Sequence, residues 1–139
     1  MTQEDKELIL KDLCARLPYG VKGQAKGMIK FFADEEVSEE PWTLTNINVQ
    51  LNTFGADTQT CIPLFNRRLG KCNFKPYLLP LSSMTEEQKK EQEAHFTCIK
   101  HDMSFSICRY MEWCYKNHLD VNGLLPKGLA IDATGLNVY

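Results

Sequence analysis

Three side chains at steps of three, His95, Cys98 and His101, form the most reactive-looking pattern in the chain. On a helix, such steps leave all three on one side, where an imidazole–thiolate–imidazole set could meet a zinc ion. A structural zinc site needs a fourth ligand, and Cys108 is the candidate two turns on. Ligands strung along three turns of one rod cannot converge on one ion unaided, and no paired CxxC occurs anywhere. The plainer expectation is a solvated His and Cys face, so no metal is assigned. Cys114 and His118, at i and i+4, could pair as thiolate and imidazole. Cys114, however, falls in an apolar stripe, which favours an inert interior thiol. His118 ends a helix, where the dipole welcomes a cation without catalysis. Asp120, Asn122 and Gly123 echo a calcium loop but lack the remaining ligands, and they read as a turn. No catalytic residue and no cofactor-binding residue is assigned.

Two surfaces remain as binding candidates. Lys22, Lys26 and Lys30 share one face of an alternating segment, and Arg67 and Arg68 follow among aromatic residues. Such a face can hold single-stranded nucleic acid by backbone attraction and base stacking. The competing reading is a solvated strand whose lysines protect an edge. The formal net charge of −2 weighs against a protein built around a cationic field. Phe105, Trp113 and Tyr115 lie off the main stripe of a long helix and mark a candidate protein interface. Either the tail covers them, or another copy or a partner does.

These residues must be held by elements, and the elements are easier to read. A chain of 139 residues with 43% apolar and 24% charged residues is one ordinary globular domain. Residues 1–20 read as a helix, with Ile9, Leu13 and Leu17 on one stripe and Pro18 and Gly20 ending it. Residues 21–81 read as strand-rich. Val21, Gly23 and Ala25 alternate with Lys22, Gln24 and Lys26. A second alternation puts Ile47, Val49 and Leu51 on one side, with a bulge near Thr45–Asn46. FGADTQT reads as a turn, and Pro63 confines a short strand to an edge. Residues 85–117 read as one long helix with Thr85 and Gln88 as its capping box. Its ridge is Phe96, Ile99, Met103, Ile107, Tyr110 and Cys114, expected to face the sheet. Weak helix formers at His101, Asp102 and Ser104 allow a break near there. Residues 118–139 read as an extended tail packed on the domain. The fold class is therefore α+β: a small antiparallel sheet flanked by an N-terminal helix and a long C-terminal helix.

Three segments carry a resemblance: LPYGVKGQ at 17–24, KPYLLPLSSMTEEQKKE at 75–91 and WCYKNHLDVNGLLPKGLAIDA at 113–133. In the same order along the chain, they resemble a family of small uncharacterised proteins of gut Bacteroides-type bacteria, their prophages and phages. The resemblance implies a mobile-element origin and a cytoplasmic setting in the bacterial host cell. It implies no activity, cofactor or catalytic residue. Leu79 stands where the resemblance would place an arginine. The acidic start of the chain also lacks an apolar signal core, and no run is long enough to span a membrane, in keeping with an intracellular setting. The expected function is that of a non-enzymatic accessory protein binding another macromolecule, with a protein or a second copy as the leading partner. Single-stranded nucleic-acid binding through the lysine-rich face is the alternative.

Overall fold

The computed structural model describes residues 1–27, 36–37, 41–56, 59–66, 71–101 and 103–139. Helix α1 spans Gln3–Arg16. Its N-terminus is closed by a capping box: the Thr2 hydroxyl accepts from the Asp5 amide, and the Asp5 carboxylate accepts from the Thr2 amide. A 3-10 turn, Leu17–Tyr19, carries the stop signal, and Gly20 takes the left-handed conformation at φ 64°. The sheet then forms from β1 (Lys22–Gly27), β3 (Trp42–Asn48), β4 (Thr53–Ala56), β5 (Gln59–Pro63), β8 (Phe74–Leu78) and β9 (Ile131–Asp132). Its order is β5-β4-β3-β1-β8-β9, with β2 (Glu36–Val37) pairing β1. A separate short ribbon joins β6 (Phe65–Asn66) to β7 (Lys71–Cys72). The α+β architecture expected from the order of elements is present.

One inward-facing layer does most of the packing. Val21, Leu44, Phe54, Ala56, Phe74 and Leu78 from the sheet meet Ile9 and Leu13 of α1 in a continuous core. Phe54 and Phe74 touch edge to face, with centroids 5.4 Å apart. Gly23 makes this possible, since a Cβ there would lie 2.6 Å from the Phe74 ring. The alternation in β1 holds: Val21 and Gly23 are buried, while Lys22 and Gln24 are half-buried. The bulge near Thr45–Asn46 is present as a register shift between Leu44 and Asn46. Pro63 ends the edge strand β5, where no further ladder donor is needed.

Five expectations are corrected. The sheet is mixed rather than purely antiparallel, because the tail returns to lie parallel to β8 as β9. The segment FGADTQT begins with a strand rather than a turn: Phe54, Gly55 and Ala56 are buried in β4. Val49 and Leu51 do not continue β3; they sit 58% and 69% exposed in the hairpin turn. Period-two spacing cannot distinguish a strand from the turn that follows when both carry apolar residues. The tail is more than an extended strap, since Asp120, Gly123 and Gly128 fold it through turns before β9. Finally, the helix of residues 85–117 is two helices, α2 (Glu86–His101) and α3 (Met103–Lys116). They fold back on each other as an antiparallel hairpin, pairing Gln88 with Asn117 and Gln92 with Tyr110. The break falls where weak helix formers cluster. Folding back lets Tyr110 and Trp113 pack on α2 rather than in water.

Candidate functional site: the helical hairpin and its free arm

The hairpin starts firmly. The Thr85 hydroxyl accepts from the Gln88 amide at 3.2 Å, and the Gln88 side chain accepts from the Thr85 amide at 2.9 Å. It also ends firmly. His118 takes φ 56°, and Leu119 N–H reaches Cys114 O at 2.9 Å while His118 N–H reaches Tyr115 O at 3.1 Å. This is the Schellman arrangement, with histidine in the place glycine usually holds. Cys114 and Leu119 are both fully buried beneath it.

Between those ends, the seam is aromatic. Trp113 Nε1 donates to Glu91 Oε2 at 2.6 Å. His95 lies against Trp113 and Tyr110, with centroids 5.5 and 6.0 Å away, and Phe96 lies 5.1 Å from Tyr110. On one side of the seam, a groove of about 360 Å³ runs past Glu91, His95, Cys98, Ser106 and Arg109. Arg109 stacks over Phe105 at 4.7 Å beside it.

The other side of the seam is the apolar ridge. Its base is inside the body, where Cys114 is fully buried and Tyr110 half-buried. Outward from there, Ile107 is 43% exposed, Phe96 44% and Met103 68%. The ridge was expected to glue the helix to the sheet along its length. Only its C-terminal end does so, because α2 and α3 fold back on each other and carry its outer half away from the sheet.

The candidates from the sequence fall as follows. His95 serves the aromatic seam, and Cys98 borders the groove; the side chain of His101 is outside the described residues. Among the described residues, no group of three metal-ligating side chains is gathered. Burial pushes the Cys114 thiol above its usual range. His118 turns instead to Tyr139, whose ring stacks on it with centroids 3.6 Å apart. Burial first, then the charges of Arg16 and Lys22, hold its imidazole down at about 4. A neutral thiol in the core and a neutral imidazole stacked elsewhere are not an activated pair. Asp120 spends both carboxylate oxygens on the amides of Leu124 and Leu125, at 2.8 and 2.9 Å, as a turn residue does.

Of the basic face, the Lys22 side chain is described and half-buried. Lys26 is described through its backbone, which pairs with Val37. Lys30, Arg67 and Arg68 lie outside the described residues. Lys75, their neighbour in sequence, donates to Gly128 O at 2.8 Å and ties the tail down. The candidate protein interface does not form one face. Phe105 is 59% exposed beside Arg109, Trp113 is half-buried in the seam, and Tyr115 lies under Arg16 at 5.0 Å. Leu79 uses its backbone, donating to His118 O at 2.9 Å and accepting from the Asp120 amide at 2.8 Å.

One constellation was missed. Asp12 and Arg16, both fully buried, join through Arg16 Nε at 2.7 Å and Nη2 at 3.1 Å. Arg16 Nη2 also donates to Leu119 O at 2.7 Å, and Asn122 Nδ2 donates to Asp12 Oδ1 at 2.8 Å. This ties α1 to the end of α3 and to the tail. The i,i+4 spacing was visible in the sequence; its burial under the tail was not.

No family model, curated protein or solved structure matches this chain. Among the described residues, no helix is long and apolar enough to cross a membrane.

Proposed function

We propose that this is a non-enzymatic accessory protein that binds another protein through the free arm of its α2–α3 hairpin. The observation that supports this reading is the ridge that leaves the core at Cys114 and continues outward through Ile107, Phe96 and Met103. Apolar side chains in contiguous register are usually buried by something, and a projecting, firmly capped hairpin is a rigid means of presenting them. The three-segment resemblance supports a phage or prophage origin and action in the cytoplasm of the bacterial host.

The test is site-specific photocrosslinking in the cell. A photoreactive amino acid at Ile107 should give discrete protein adducts. The same group at Lys11, on the exposed side of α1, should give few. Equal, low yields at both positions would refute the arm as a binding surface.

A further inference from the structure

We propose that the partner of the arm is a second copy of this chain, docked antiparallel across a two-fold axis beside Phe96. This rests on the arm being a binding surface and adds the identity of what covers it.

The argument is one of charge around an apolar centre. On α2, Glu93 precedes Phe96 by three residues and Lys100 follows it by four. Those steps place all three on one side of the helix. Both charged side chains are exposed, and Phe96 between them is 44% exposed. On α3, Met103 and Ile107 precede Tyr110 by seven and three residues and share its side of the helix, and the Tyr110 ring touches Phe96. Lys89, a further turn back on this side, is paired with Glu86 at 2.7 Å; beyond that pair the face runs acid, apolar, base along the helix. Turned end for end, it becomes base, apolar, acid, its own complement. A two-fold axis requires a surface of that kind, because every contact is made twice by the same patch. Lys100 would meet Glu93 of the second copy, and Glu93 would meet its Lys100, with the Phe96, Met103 and Ile107 side chains closed between them.

The geometry of the hairpin favours this occupant. The ridge is buried at its root and free at its tip, so each arm overhangs its own body. An antiparallel copy brings its tip toward that root and offers its root to the tip. A contact confined to a few apolar side chains and two charge pairs belongs to the weak class of interfaces, and the expected dissociation constant is on the order of micromolar.

Sedimentation velocity across roughly three decades of concentration around the micromolar range tests the pairing. The intact chain should pass from monomer to dimer. Glu93→Lys sets cation against cation twice per dimer and should weaken association at least about tenfold, and Lys100→Glu should do the same. The double exchange, Glu93→Lys with Lys100→Glu, restores opposite charges and should recover association to within about threefold of the parent. Both positions are exposed, so circular dichroism should show all variants folded. A chain that stays monomeric throughout overturns the proposal, as does a double exchange no better than either single. If the chain is monomeric while Ile107 still crosslinks to a different protein, only the two-fold pairing falls. If neither is seen, the binding reading falls with it.

Discussion

Mild acid should loosen this protein through one histidine. His118 closes α3, stacks on Tyr139 and faces the charges of Arg16 and Lys22. Its folded pKa of about 4 lies below the ordinary 6.5. The unfolded chain therefore takes up a proton as pH falls through 6.5, while the folded chain resists until about 4. Stability is fully present above 6.5, declines across that window and levels off below it. Each pKa unit corresponds to about 1.4 kcal/mol, so the full shift sets a ceiling of about 3.4 kcal/mol. The ring is only partly buried, and solvent screening reduces this to about 1–2 kcal/mol. Asp5 and Asp132, both held below the usual carboxylate range, act lower, as pH falls through 3.8. Urea midpoints followed by circular dichroism at pH 7, 6, 5 and 4.5 should fall steadily. His118→Asn, which tolerates the left-handed backbone, should be less stable at pH 7 and should flatten that decline. If the two proteins lose stability in parallel, or if the His118 ring titrates at 6 or above by NMR, the reasoning is wrong.

Arg16→Met should cost about 3–5 kcal/mol, because it strands the Asp12 carboxylate in the core; the double change Asp12→Leu with Arg16→Met should cost much less, and thermal unfolding separates the two. Gly23→Ala should destabilise by about 1–3 kcal/mol in urea, since a methyl group there presses on the Phe74 ring and on the Lys75 carbonyl of the paired strand. Thr85→Ala should remove about 1 kcal/mol by opening the capping box of α2, measurable as a lower melting temperature.

Local features were readable because their causes are local. The capping box at Thr85 and Gln88, the stop at Pro18 and Gly20, the bulge beside Asn46 and the edge strand ending at Pro63 each follow from a few neighbouring residues. The apolar stripe expected from Phe96 to Cys114 holds along α3 from Met103 to Cys114, whereas Phe96 and Ile99 stand on the other helix of the hairpin. Its surroundings were not legible, because a stripe records which residues share a side, not what lies opposite.

The order of helix, strands and helices, and with it the α+β class, follows from the chain alone, since each period reports its own backbone geometry. Whether residues 85–117 form one helix or two, whether Phe96 is inside or out, and whether Arg16 meets Asp12 in water or under the tail depend on contacts between segments far apart in sequence. Those contacts decide the arm and its charged face. They arise from burying the most apolar surface once all segments are present, a sum that no single stretch of residues contains.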